Sequence, residues 1–269
     1  MAKMEKFIVL IKGAGEMASG IAHRLAMCGF SVVMTEIEFP TVIRRGVSFA
    51  QAIFSQQITV EGITGRLVTK DDVLDVLGKS EIAVLVDPQA QIREYLKPDI
   101  VIDAILNKKN TSTEISQAPL VIGIGPGFEA GKDVHVCIET MRGHSLGKVI
   151  TQGSPLPDTG IPGDIAGYTW ERVLRSPGDG IFNTEKKIGD IVEKNSIIGY
   201  VGTLEVHANL SGILRGLIYP GCFCKKNGKI GDIDPRGKKE YCWQISDKAR
   251  TISGGVLESI LRFYPLRKP

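Results

Sequence analysis

Residues 7–20 read FIVLIKGAGEMASG, and this stretch decides the fold. Residues 7–11 are continuously apolar, as a parallel strand covered on both faces requires. The strand runs into a glycine turn that opens a helix. Gly13, Gly15 and Ala18 fit G-x-G-x-x-G/A, the fingerprint of a dinucleotide-binding βαβ unit. In that pattern Gly13 permits the tight turn, Gly15 lets a phosphate approach the backbone, and Ala18 keeps helix and strand close. Glu16 and Met17 then occupy the first helical turn, whose free N–H groups and positive dipole end face an anion.

The flanking residues agree with this reading. Met17, Ile21 and Leu25, with Ala18 and Ala22, form one apolar helical face, and Gly29 after Cys28 supplies a stop. A second strand, residues 31–35, ends at Glu36, near the offset at which an acidic residue meets a ribose hydroxyl. Such a carboxylate favours a free 2′-hydroxyl over a 2′-phosphate. Arg44 and Arg45 follow a few residues later and are alternative partners for a phosphate. The residues leave that choice open.

Further apolar strands are expected at 82–86, 100–105 and 120–124, with helices at 71–77 and 89–96, the latter closed by Pro98. Residues 58–60 and 66–68 read as a small hairpin around Gly62 and Gly65. Strand–helix alternation of this kind predicts an α/β domain with an open, mostly parallel, Rossmann-like sheet over residues 1–150. Ligands bind such sheets at the carboxyl ends of the strands. Three segments reach that edge: the turn at 13–15, residues 103–110 with Asp103 and Lys108, and residues 123–131 with Gly125 and Gly127. The last of these, within IGIGPGFEAGKD, fails as a Walker A loop because Pro126 and Asp133 stand where Gly and Ser/Thr belong.

From about residue 151 the texture changes. A Gly/Pro-rich connection (151–175) precedes a β-rich module (176–246) and a C-terminal helix and tail (247–269), with a closing strand expected at 241–245 and helix at 255–263. The module's glycine-punctuated halves, residues 176–202 and 206–235, resemble the barrel-sandwich hybrid of biotinyl and lipoyl carriers. The stretch matching the carrier lysine is Leu204-Glu205-Val206-His207-Ala208, which has no lysine, so a docking or binding module is expected rather than a swinging carrier.

Composition excludes other classes. With 33 basic and 30 acidic residues, the chain has no bulk electrostatic grip on nucleic acid. No run is long enough to span a membrane, no signal-peptide pattern is seen, and five scattered cysteines suit a reducing cytoplasm. The locally basic stretch at 262–268 reads as a solvated tail. His135, Cys137 and Glu139 alternate in HVCIETMRGH without any spacing that forces metal ligands together. Cys222 and Cys224, a Cys-x-Cys pair, read as small buried residues; zinc with His207 or Cys242, or sulfur or selenium handling, is the sharper alternative. No G-x-S-x-G, H-E-x-x-H or paired-carboxylate signature is present.

The strings IKGAGEMASGIAHRL, GFSVVMTEIEFPTVIRR, GIGPGFEAGKDVHVCIETMRGHSLGKVI, GKIGDIDPRG and ISDKARTISGGVLESIL together resemble the selenium-dependent molybdenum hydroxylase accessory protein family. The resemblance covers nearly the whole chain. It implies a role in maturation of such hydroxylases and a molybdenum hydroxylase as client, with no established reaction and no catalytic residues to carry over. Combined with the glycine fingerprint, it points to a nucleotide-type ligand, with molybdopterin cytosine dinucleotide and NAD as candidates, and self-association stays open. A nicotinamide-dependent oxidoreductase, with Lys108, His135 or His144 as loose proton-donor candidates, and a non-catalytic scaffold are the alternatives.

Overall fold

The structure, a computed structural model, describes residues 7–264. These fall into two units: residues 7–38, 49–158 and 245–264 form the first, and residues 39–48 with 159–244 form the second. The C-terminal helix, set apart in the sequence reading, therefore counts with the first unit. Residues 265–268 of the basic stretch lie outside the described residues.

In the first unit the chain runs β1 (Ile8–Lys12), α1 (Glu16–Met27), β2 (Ser31–Glu36), α2 (Ala52–Ser55), β3 (Gln57–Val60), β4 (Ile63–Leu67), α3 (Val73–Gly78), β5 (Ile82–Val86), α4 (Ile92–Leu96), β6 (Ile100–Asp103), β7 (Leu120–Ile124), β8 (Val136–Ile138) and β9 (Val149–Ile150). They build a nine-stranded sheet in the order β3-β4-β5-β2-β1-β6-β7-β8-β9. Pairing is parallel from β4 to β8, and the two edge strands β3 and β9 are antiparallel. The run β5-β2-β1-β6-β7-β8 is the 3-2-1-4-5-6 order of a doubly wound Rossmann sheet, extended by the β3–β4 hairpin. The mostly parallel sheet read from the sequence is thus present.

The two faces of the sheet divide the core. Leu10, Val33, Val101 and Val121 join Val73, Val76, Leu77, Ile92 and Leu96 from α3 and α4 in one buried cluster. Val9 and Ile11 alternate to the opposite side of β1 and are fully buried there. On α1, Gly20 meets Ala249 so closely that a Cβ at Gly20 would lie 2.8 Å from the Ala249 Cβ.

Ala249 belongs to α5 (Asp247–Phe263), which begins eight residues earlier than the helix expected at 255–263. Ser246 caps it by accepting the Ala249 N–H at 3.3 Å. The adjacent Gly254 and Gly255 weaken helix propensity in the sequence. Tertiary packing explains one of them: a Cβ on Gly255 would sit 2.1 Å from the Gly147 carbonyl oxygen.

Other departures have similar local causes. The hairpin turns at Glu61 and Gly62, both with positive φ (43° and 87°), as a two-residue type I′ loop requires. Gly65 is instead a strand residue, where a Cβ would meet the Phe49 ring at 2.4 Å. Ala90 has φ 53°, so α4 starts at Ile92 rather than 89. Strand β6 stops at Asp103 because the chain turns there. The strand expected at 241–245 is absent. Residues 239–242 form a 3₁₀ turn, the Tyr241 and Gln244 carbonyls accept from the Arg44 guanidinium, and the Ile245 N–H donates to Glu61. Those backbone groups are no longer free for a ladder.

The second unit holds β10 (Val173–Arg175), β11 (Gly180–Asn183), β12 (Ile191–Val192), β13 (Ile197–Val201), β14 (Leu204–His207), β15 (Gly212–Leu217), β16 (Phe223–Cys224) and β17 (Lys229–Asp234). They form two four-stranded antiparallel sheets, β10-β17-β15-β12 and β14-β13-β11-β16. Phe182, Leu214, Leu217 and Ile233 are fully buried. Asp232 is buried too, bonded by Arg172 and Arg215, while Asp234 takes Arg215 at 3.2 Å and Arg236 at 2.6 Å.

The neighbouring glycines of α5 provide a paired test. Gly255→Ala forces a clash with backbone and should destabilise by about 1–3 kcal/mol. Gly254→Ala, with nothing nearer than an Arg24 side-chain nitrogen at 3.8 Å, should stabilise by about 0.5–1 kcal/mol. Urea unfolding of both variants checks this; equal effects would disprove the packing account.

Candidate functional site

Crossovers leave β1 and β6 in opposite directions along the sheet, so the crevice at their carboxyl ends is the topological switch point. Gly13 sits there with φ 91° and donates its N–H to Thr35 O at 2.8 Å. A Cβ at Gly13 would lie 3.1 Å from the Ala104 oxygen and 3.2 Å from the Ile105 Cα, so the turn and the end of β6 nearly touch. Gly15 is the N-cap of α1 in extended conformation (φ −69°, ψ −176°), without a side-chain cap. Gly13 and Ala14 are buried, whereas Gly15 and Glu16 are half-exposed and Met17 is again buried. Ser19 locks the turn by donating to Ala14 O at 3.0 Å and accepting the Phe49 N–H at 2.8 Å.

Glu36 closes the second side of the turn. Its Oε2 accepts the Ala14 N–H at 2.9 Å and its Oε1 accepts the Ile37 N–H at 2.9 Å. Burial raises its pKa and outweighs the N–H groups of Ile37 and Ala14, which pull it down. A carboxylate offers about four lone-pair positions. Each oxygen of Glu36 therefore retains acceptor capacity for a hydroxyl donor.

Beneath the turn lies a group that motif reading passed over. Lys12 and Asp103 are register partners at the ends of β1 and β6, each about 3 % exposed. Lys12 Nζ is 3.4 Å from Asp103 Oδ2 and donates to Thr113 Oγ1 at 2.5 Å and Ser112 Oγ at 3.2 Å. Thr113 passes its own proton to Asp103 Oδ2 at 2.5 Å, and Asp103 Oδ1 accepts the Ile105 N–H. Asn110 holds that loop by accepting the Thr113 N–H and donating to the Thr113 carbonyl. The available signal was the position of Lys12: a lysine ending an apolar strand, opposite an aspartate ending another.

A second lysine comes from the far end of the chain. Lys248 of α5 is half-buried and has no hydrogen bond or ion pair among the described residues. Burial lowers its pKa, Arg142 lowers it further, and Glu16, Asp158 and Glu139 oppose them. It thus shares its electrostatic environment with the first residue of α1.

The remaining expected residues have other work. Lys108 pairs with Asp158 at 2.6 Å while largely exposed. Gly125 (φ 81°) donates to Ile138 O at 2.9 Å, and a Cβ on it would lie 2.8 Å from Thr140 Oγ1. Gly127 packs against the backbone of Lys109, where a Cβ would approach to 2.8 Å. This loop is a packed turn against residues 108–110. Arg44 falls in the second unit, its guanidinium 3.1 Å from the Tyr241 and Gln244 carbonyls, and Arg45 donates to Leu217 O at 2.6 Å. Within the first unit the structure brings together Gly13, Gly15, Glu36 and Asp103; Arg44 belongs to the second unit.

The histidines and cysteines stand elsewhere. His135 lies at the amino end of β8, where its Nδ1 accepts the Val121 N–H at 3.0 Å. Burial pushes the neighbouring Cys137 thiol up to about 12, with Asp133 and Glu129 adding to the shift. Glu139 is bound by the N–H groups of Thr140, Met141 and Leu156. Cys222, Cys224 and Cys242 are buried, with thiol pKa values raised chiefly by burial. Among the described residues no group of three or more His, Cys, Asp or Glu could hold a metal, and no helix is long and apolar enough to cross a membrane.

No protein-family model matches the chain. Over 255 residues it is 48% identical to the "Uncharacterized protein YqeB" of Escherichia coli (strain K12). The match takes in 94% of this chain and 47% of YqeB, so the chain spans about half that relative's length. Solved structures with some likeness include the product-bound ectoine utilization protein EutE (DoeB) of Ruegeria pomeroyi, at 12% identity, 85% coverage of both chains and TM-score 0.26. A succinylglutamate desuccinylase/aspartoacylase of Rhodobacter sphaeroides gives 13%, 85% of both chains and 0.27. Likeness at that level carries no argument about this chain.

Removing one partner of the buried pair leaves an uncompensated charge. Lys12→Met should cost about 3–5 kcal/mol in urea unfolding. Adding Asp103→Asn should recover at least about 1 kcal/mol of that loss through coupling. Strictly additive effects would show that the two groups do not act as a pair.

Proposed function

We propose that the first unit binds a nucleotide across the switch point, and that the chain acts as an accessory protein in maturation of selenium-dependent molybdenum hydroxylases. One observation carries the binding half. Glu36 is fixed at the carboxyl end of β2, bonded to the backbone of the Gly13–Gly15 turn, with acceptor capacity left for a ribose hydroxyl. The half-exposed start of α1 beside it offers N–H groups and a positive dipole end to a phosphate. The accessory role rests on the chain-wide sequence resemblance. Molybdopterin cytosine dinucleotide and NAD both present a diphosphate and a ribose to such a site.

In the same proposal the second unit is a barrel-sandwich hybrid that docks the client enzyme. Its two four-stranded antiparallel sheets support this, as does the absence of lysine from Leu204–His207. Catalysis by the proton-donor candidates gains no support from the geometry. Lys108 is ion-paired, His144 is exposed, and His135 sits at the amino end of β8, away from the turn.

Titration calorimetry with molybdopterin cytosine dinucleotide, NAD and ADP tests the reading, with NAD expected to bind more tightly than NADP. No heat with any of them would remove the nucleotide. The pH profile gives a second check. Protonation removes the charge that a ribose hydroxyl seeks, and the pKa of Glu36 is raised. Affinity for NAD should therefore fall as pH drops through that raised value, and Glu36→Gln should flatten the profile. An unchanged slope in the variant would separate Glu36 from the ribose.

A further inference from the structure

A cavity of about 1120 Å³ opens at the carboxyl ends of β4 and β5. It lies next to the Glu36 strand: Glu36 pairs in register with Val86, and the Asp87 N–H donates to Glu36 O at 3.0 Å. The cavity exists because the β3–β4 hairpin adds β4 as a parallel neighbour of β5, giving that part of the carboxyl edge a second wall. Its apolar wall includes Leu67, Leu85 and Ile92.

Two further lining residues give it chemistry. Tyr95 is half-exposed at 50%, with Lys70 Nζ 4.7 Å from its ring centroid, so an aromatic surface is presented and steadied. Asp87 is half-buried, and its Oδ2 is pinned by the Ile92 N–H at 2.8 Å. Its Oδ1 has no partner among the described residues. A carboxylate oriented in this way presents a fixed acceptor to an N–H donor. Aliphatic side chains, one aromatic ring and a fixed acceptor within an otherwise polar lining suit a heteroaromatic ring bearing an amino group.

We propose that this cavity is the base subsite of the nucleotide site, taking a base with an exocyclic amino group, of cytosine or adenine type, against Tyr95 and Asp87. The inference rests on the nucleotide reading above and adds the ligand's base to it. The discriminating probes are CDP against UDP and ADP against IDP, pairs that differ in replacing the amino donor by a carbonyl acceptor. Equilibrium dialysis of the wild-type chain should show about a tenfold preference for CDP and ADP, the scale of one hydrogen bond to a charged group.

Asp87→Asn keeps an oxygen for the Ile92 N–H and turns an amide N–H toward the ligand, so the preference should vanish or reverse. Tyr95→Ala should weaken CDP and UDP alike by about tenfold, the scale of one stacked base. If wild type binds CDP, UDP and ribose 5-phosphate with equal affinity, the base subsite is overturned while the phosphate–ribose site stands. That measurement does not depend on any variant folding. If no nucleotide binds at all, both readings fall together.

Discussion

The first unit depends on one close approach, the carboxyl end of β1 turning against the carboxyl end of β6. Gly13 is pressed onto the Ala104 carbonyl with φ 91°, a conformation and a clearance that a side chain would strain. Directly before it, Lys12 is buried against Asp103, its register partner on β6. Burying an ammonium and a carboxylate is costly unless their hydrogen bonds are met. Thr113, Ser112 and the Ile105 N–H meet them, and Asn110 keeps Thr113 in place. The loop after β6 is thus ordered by the strand that precedes the glycine turn.

That dependence explains why two glycine-rich loops on one sheet edge are used differently. In the loop after β7, Gly125 and Gly127 give up their side chains so that Thr140 and Lys109 can pack, and the Gly125 N–H is consumed by Ile138 O. At the start of α1, the glycine turn is braced from below and from Glu36, and Gly15 and Glu16 remain half-exposed. Glycine content alone does not separate these cases. The destination of the N–H groups does.

Much of this was legible in the sequence, for definable reasons. The β1–α1–β2 run combines a continuous apolar strand, a 3.6-residue apolar face and a glycine stop, three signals that agree. What escaped was tertiary. Gly65 reads as a turn residue, yet it is a strand residue under the Phe49 ring. The first two turns of α5 read poorly because Gly254 and Gly255 weaken helix propensity, and only Gly255 is explained by packing, on Gly147. The stretch 241–245 has strand-like residues, but Arg44, about 200 positions earlier, takes its carbonyls. Lys12 carries no motif signal, because its partner is 91 residues away on a neighbouring strand.

The balance at Glu36 connects fold and site. Two backbone N–H groups lower its pKa, but burial raises it more. Glu139, by contrast, is bound by three N–H groups, and Asp234 is paired with two arginines. Glu36 has neither arrangement, and it lies at the end of β2, bonded to the glycine turn and in register with Val86 of β5. Its two oxygens still have lone pairs beyond the two that these N–H bonds use. The carboxylate that fixes the turn therefore keeps acceptor capacity on both oxygens, and the proposed ribose contact would draw on it.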